Sequence, residues 1–203
     1  VRLIDPSTLE GRERYQLMTS LVVPRPIGWI STWSAEGVAN LAPYSYFAAL
    51  SASPMLVGVS IGHRRDGPKD TLTNVRSQRA FCVNVVSERL LEAMNATSAD
   101  VAPDVDEFEL AGLTPVPSDR VAAPYVHGGA AVLECVLRKE VDLEGARNTL
   151  VIGEVVGVRL DPSLTMEPHS HLVAVEELRP VGRLAAEMYT LLGVVRRLPR
   201  PKA

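Results

Sequence analysis

Between Gly62 and Thr71 the chain reads Gly-His-Arg-Arg-Asp-Gly-Pro-Lys-Asp-Thr. Arg64, Arg65 and Lys69 gather three cations in one short loop, and Thr71 adds a hydroxyl. Asp70 has the side chain of an N-cap, which predicts a helix over Thr71 to Arg79. That helix would aim free N–H groups at the same place. The combination suits a phosphate group, through charge-assisted hydrogen bonds and the helix N-terminus. The alternative is a solvated basic loop with Asp66 and Asp70 as partners. The spacing approaches the nucleotide-hydrolase loop, GxxxxGK followed by Ser or Thr, but Pro68 and Asp70 break it on either side of Lys69. Proline also removes an amide that a phosphate cradle needs. With no GxGxxG either, nucleotide hydrolysis and a doubly wound dinucleotide site are disfavoured.

A second segment with chemical content is Asn40-Leu41-Ala42-Pro43-Tyr44-Ser45-Tyr46-Phe47. Short side chains at Ala42 and Pro43 let backbone approach a flat ligand closely, while Asn40 and Ser45 offer orienting hydrogen bonds. The same run also reads as an edge strand with a proline break and core aromatics. His169 and His171 flank Ser170 but have no third metal ligand beside them. Trp29 and Trp33 alternate with Ser31, so they share one strand face, and core packing is the default for both.

The elements that must position these groups are mostly strands. Helix formers predict a short helix over Leu9 to Leu21, ended by Pro24 and Pro26. Ile27 to Trp33 reads as a buried strand, and the Ser34 to Gly37 turn leads to a second arm from Val38. Tyr44 to Leu50, Met55 to Ile61 and Ala80 to Val86 are further strands, and Ser87 starts a helix carrying Leu90, Leu91 and Met94. Thr97 to Pro124 is long and irregular, with a helical turn at Asp106 to Leu110; connections of that length usually carry function or pack over something. Ala130 to Leu143 and Thr149 to Leu160 are β-branched runs that form a long hairpin. Leu172 to Leu178 is a last strand candidate, and Leu184 to Arg197 a final helix. Seven or so strands with peripheral helices predict a mainly β, antiparallel barrel in one domain over residues 1–203.

Composition bounds the partners. A net charge of -3 with no dominant basic block argues against nucleic acid. The basic run Arg196 to Lys202 reads as a solvated tail. Cys82 and Cys135 each sit in an apolar strand, where a thiol behaves as a small hydrophobe, so no disulfide framework is expected. Residues 1–13 are too charged for a signal peptide, and no apolar stretch is long enough for a bilayer. The expectation is a soluble, cytoplasmic protein without a membrane partner.

Taken in order, several segments resemble the flavin reductase-like, FMN-binding split-barrel family, which includes the flavoredoxins. They are Arg25-Pro26-Ile27-Gly28-Trp29-Ile30-Ser31-Thr32, the Asn40 to Phe47 segment, Ser60-Ile61-Gly62, and Lys69-Asp70-Thr71. The match continues through Phe81 to Val86, Met94 to Ser98, Asp106 to Leu113, Asn148 to Val155 and Gly182-Arg183-Leu184, and so covers about Leu17 to Tyr189. No single piece is diagnostic; their order and spacing are.

The resemblance implies a split barrel and a set of roles. Ser31 and Thr32 would lie beside the flavin, and Asn40 with the backbone of Ala42, Pro43, Tyr44 and Ser45 would face the isoalloxazine edge. Ser60, Ile61 and Gly62 would line the ribityl-phosphate, and Arg64, Lys69, Asp70 and Thr71 would hold the phosphate. His127, Arg183 and Tyr189 resemble positions flanking the flavin face, although a loop histidine such as His127 is more often a surface residue. The implied activity is NAD(P)H-dependent flavin reduction, with FMN as cofactor and NADH or NADPH as co-substrate. The flavin pocket would be completed by a second subunit of a homodimer. A partner monooxygenase, free flavin or another small oxidant would take the electrons. The competing reading is a flavoredoxin-like electron-transfer protein without a nicotinamide site. A cofactor-free binding module on the same barrel is a third, against which an intact Lys69-Asp70-Thr71 argues.

Overall fold

The computed structural model describes residues 1–201, which leaves Lys202 of the basic tail outside the described residues. Seven strands carry the architecture: β1 (Gly28–Trp33), β2 (Ala39–Tyr44), β3 (Phe47–Ala52), β4 (Met55–Gly62), β5 (Ala80–Val85), β6 (Ala131–Asp142) and β7 (Asn148–Leu160). They form one sheet in the order β2-β1-β5-β6-β7-β4-β3, and every neighbouring pair is antiparallel. The sheet curls until β2 contacts β4, making the split barrel. The hairpin β6–β7 turns through Gly145 at φ +75, a conformation that glycine adopts without cost.

β1 is buried on both faces, so its sequence lacks alternation. Ile30 faces the barrel interior with Val59, Ile61, Phe81, Val83 and Val151. Trp29 faces outward into a second core with Leu41, Met94 and Phe108, and Trp33 packs on the same side. Two helices close these cores, and a third lies outside them. α1 (Gly11–Leu21) is held by an N-terminal capping box and buries only Thr19. α2 (Asp70–Gln78) lays Leu72 and Val75 on the interior core, and α3 (Leu91–Ala96) contributes Met94 to the outer one. The indole of Trp29 donates to Thr97 Oγ1 at 2.9 Å, which ties the end of α3 to β1.

Four local expectations need correction. Lys69, not Asp70, is the N-cap of α2; Asp70 is its first helical residue, where an acid still complements the helix dipole. The extended run expected from Tyr44 to Leu50 breaks at Ser45–Tyr46, and β3 continues to Ala52. Leu172 to Leu178 is no strand: Val173 makes one bridge to Met166, and Val175–Leu178 forms a helical turn. The final helix over Leu184 to Arg197 does not form. Tyr189–Thr190 instead pairs with Gly182–Arg183, which in turn pairs with Arg25–Pro26. Helix formers between Ala185 and Met188 lose to this pairing, because Leu184 N–H donates to Met188 O and Ala186 takes φ +49. Arg197, in the tail, pairs with Glu167.

Candidate active site

Two side-chain clusters meet where β2 ends beside the start of α2. Asn40, Ala42, Pro43 and Tyr44 of β2 supply one wall, and Arg64, Lys69, Asp70 and Thr71 supply the other, around a cleft of about 80 Å³. A second cleft of about 150 Å³ adjoins it through shared Pro43 and Ser98, and is lined by Ile27, Ser45, Met94, Arg183 and Tyr189. Most of the predicted site residues therefore converge, although they span β2, a loop, a helix start and the C-terminal segment.

The floor of the first cleft is a closed hydrogen-bond chain. Tyr44 Oη donates to Thr71 Oγ1 at 2.9 Å, and Thr71 Oγ1 donates to Asn40 Oδ1 at 2.8 Å. Asn40 Nδ2 then donates to Glu107 Oε1 at 2.9 Å, while Glu107 Oε2 accepts from the Leu41 amide at 3.1 Å. All four side chains are buried. Burial pushes the Tyr44 phenol above its ordinary value, with Glu107 and Asp70 adding to the shift, so Tyr44 stays a donor. Burial also raises the Glu107 carboxyl, outweighing the Leu41 amide and Asn40 that favour its charge. The Thr71 hydroxyl is thus engaged inside the fold, and only its backbone remains to meet a ligand.

The cations differ from one another. Arg64 bridges Asp70 at 3.0 Å and Asp100 at 3.1 Å. Although burial disfavours its charge, these two carboxylates hold Arg64 above its ordinary value. Lys69 makes no ion pair among the described residues; its Nζ lies 5.9 Å from the Tyr44 ring centroid. Behind it, the Leu72 amide is taken up by Lys69 O at 2.9 Å, which leaves the Asp70 and Thr71 amides at the start of α2 without an intrahelical acceptor. Lys69 and these amides are the groups free to receive an anion. Arg65 is exposed and lines neither cleft.

Other predicted residues sit elsewhere. Ser31 is fully buried, donating to Pro124 O at 2.6 Å and accepting from Asn84. Thr32, equally buried, donates to Asn40 Oδ1 at 3.3 Å and accepts from Asn74, so it supports Asn40 from behind. Ser60, Ile61 and Gly62 pair with β7 and do not reach the clefts; Ile61 is in the interior core. His127 is exposed on the turn after Pro124–Val126 and lines neither cleft. Arg183 and Tyr189 do line the second cleft, but they engage each other: the guanidinium lies 4.4 Å from the Tyr189 ring centroid, and Tyr189 Oη donates to Asn95 at 2.8 Å.

Glu107, Asp100 and Ser98 are the site residues that sequence reasoning missed. Their signal was the long connection after Thr97, with Asp106 capping the turn Glu107–Leu110 through its carboxylate. No cluster of metal-ligating side chains occurs among the described residues. A separate depression of about 500 Å³ beside Arg89, Asp161 and Arg179 contains none of the predicted site residues, and its Arg179 is paired with Glu88. An apolar groove of about 540 Å³ lies on the far side of Ser45, between α1 and β3, with Met18, Val22, Tyr46, Phe47 and Leu50 along it.

The flavin reductase like domain matches residues 18–175. Nitrilotriacetate monooxygenase component B from Bacillus cereus is 33% identical and superposes with a TM-score of 0.93, covering 98% of both chains. The 2-nitrobenzoate 2-nitroreductase of Pseudomonas fluorescens is 31% identical, with a TM-score of 0.89 over 98% of this chain and 96% of its own. A split-barrel protein from Shewanella frigidimarina is 27% identical, with a TM-score of 0.85 over 97% of this chain and 96% of its own.

Proposed function

Because the chain belongs to the flavin reductase-like family, we propose that it binds one FMN per subunit across the two joined clefts and acts as an NAD(P)H-dependent flavin reductase. The observation that carries this reading is the convergence of a free cation, Lys69, and the N-terminus of α2 on the same cleft as the Ala42-Pro43 backbone. A monophosphate suits Lys69 and the α2 amides. Arg64 can exchange the exposed Asp100 for a stronger anion, since that carboxylate is 80% accessible. The cations lining the first cleft are Arg64 and Lys69 and the second adds only Arg183, engaged with Tyr189, which suits a monophosphate and favours FMN over FAD. When bound, the flavin supplies the two-electron chemistry. The chain's own work is to hold the phosphate, to present backbone from Ala42 to Ser45 to a flat ring, and to keep Asn40 and Tyr44 fixed through Glu107 and Thr71.

The two clefts are too small to enclose a flavin, and ligand pockets usually measure about 300–1,000 Å³. A second copy of the chain, seated on the apolar groove, is proposed to complete the site. α1 exposes Tyr15, Met18 and Leu21, the adjacent segments expose Val22, Tyr46 and Leu50, and Ser45 borders both groove and cleft. A homodimer covering this face would bury on the order of 2,000 Å². The electrons would pass to a partner oxygenase, as the name of the Bacillus cereus component suggests for that protein, or to a small oxidant. A second reading, electron transfer without a nicotinamide site, is favoured by the mutual engagement of Arg183 and Tyr189. Mass spectrometry of the cofactor released from purified protein tests the first claim, with FMN expected and FAD refuting it. Anaerobic titration separates the readings: bleaching by NADH or NADPH supports the reductase, and bleaching by dithionite alone supports electron transfer.

A further inference from the structure

Arg25 is 5% exposed, yet it makes no ion pair among the described residues. Its Nη1 donates to the carbonyls of Thr19 and Val22, each at 2.7 Å, and its Nη2 to Leu184 O at 2.8 Å. Nε donates to Ser45 Oγ at 3.3 Å. A buried guanidinium is costly unless its charge is compensated, and here only carbonyl and hydroxyl dipoles face it. Anchoring α1 to the barrel would not require a full charge, since a neutral donor can meet a carbonyl. The charge sits directly behind Ser45, which lines the second cleft. Because Ser45 Oγ accepts from Arg25, its own hydrogen is left to donate forward.

We propose that Arg25 is a positioning residue for the redox step: its unpaired charge, acting through the Ser45 hydroxyl, favours the reduced over the oxidised form of a flavin held in the cleft. The inference rests on the flavin reading given above. Hydride transfer from a nicotinamide moves two electrons and one proton; the donor becomes a cation and the acceptor gains one negative charge at neutral pH. A fixed positive charge close behind the acceptor therefore stabilises product more than reactant. Across one intervening side chain, at an effective dielectric of about 20, such a charge is worth tenfold or more in an equilibrium constant.

The test is the midpoint potential of bound FMN, together with the affinities for oxidised and reduced FMN, in wild type, Arg25→Gln, Arg25→Lys and Ser45→Ala. Arg25→Gln should weaken binding of reduced FMN about tenfold more than oxidised FMN, which lowers the two-electron potential by ~30 mV. Arg25→Lys, which keeps the charge, should hold the affinity ratio within about threefold of wild type, and Ser45→Ala should shift it in the same direction as Arg25→Gln. If Arg25→Gln fails to fold, Ser45→Ala decides: a shifted ratio supports the proposal and an unmoved one overturns it. A folded, FMN-bound Arg25→Gln with the wild-type potential also overturns it. A wild-type protein that binds no FMN removes the flavin reading itself, and this inference with it.

Discussion

At one end of the cleft the side chains of Asn40, Tyr44, Thr71 and Glu107 are all buried and matched, and each stands on or beside a regular element. At the other end, Arg183 and Tyr189 are half-buried on two-residue strands, and the contact between them is a cation over a ring. The first end is rigid because removing any member leaves a buried donor or acceptor unmet. The second is held by two-residue strand pairings and by side-chain hydrogen bonds that are exposed, and regions with few buried contacts open at lower free-energy cost. A site meant to keep one ligand and exchange another would divide in this way: phosphate and ring edge on the fixed end, the visiting nicotinamide on the loose one.

The largest effect that would sharpen this contrast comes from Glu107→Ala. It strips the acceptor from both Asn40 Nδ2 and the Leu41 amide, so urea unfolding should show a loss of about 2–4 kcal/mol. The gap should also depend on pH. Burial raises the Glu107 carboxyl, so the folded chain binds its proton more tightly than the unfolded chain does. That contribution is complete below the ordinary carboxylate value and is lost as pH rises through the raised one. The difference between wild type and Glu107→Ala should therefore narrow with rising pH across that window. A loss below about 0.5 kcal/mol would mean that the network is not what fixes this end.

Lys69→Ala comes next. It should weaken FMN binding roughly 10- to 100-fold, the worth of about 1.5–3 kcal/mol for a hydrogen bond to a charged group. Riboflavin, which lacks the phosphate, should bind the variant as it binds wild type, and the unfolding midpoint should not move. Equal losses for both ligands would place Lys69 away from the phosphate.

The smallest effects belong to the loose end. Tyr189→Phe removes one exposed hydrogen bond to Asn95, so stability should fall by about 0.5 kcal/mol. If this end receives the nicotinamide, Tyr189→Phe and Arg183→Ala should slow reduction by NAD(P)H while sparing FMN occupancy and dithionite reduction. Lost FMN occupancy would instead join Arg183 and Tyr189 to the fixed end and erase the division. His127, exposed and outside both clefts, should leave all three measurements unchanged when replaced by Ala.

The amino-acid sequence alone determined the barrel, because its strands are long β-branched runs or short apolar runs bounded by turn residues; the hairpin of β6 and β7 lies within a residue of its expected limits. It also determined the cleft's main residues, since Asn40 to Ser45 and Arg64 to Thr71 are compact segments whose chemistry is local. Only the tertiary structure decided what faces what. Thr32 and Thr71 look like ligand-binding hydroxyls in one dimension, yet each is turned inward, because a strand buried on both faces and the inner side of a helix give their side chains no route to solvent. Glu107 enters the site from 67 residues away in sequence, carried by a connection with no periodicity to announce it. The C-terminal segment reads locally as helix, yet Tyr189–Thr190 is extended, because it pairs with Gly182–Arg183, which is itself held by Arg25–Pro26. Arg25 needed all of this at once: its surroundings are assembled from α1, Ser45 and Leu184, the last of them 159 residues from Arg25, and no stretch of sequence contains that environment.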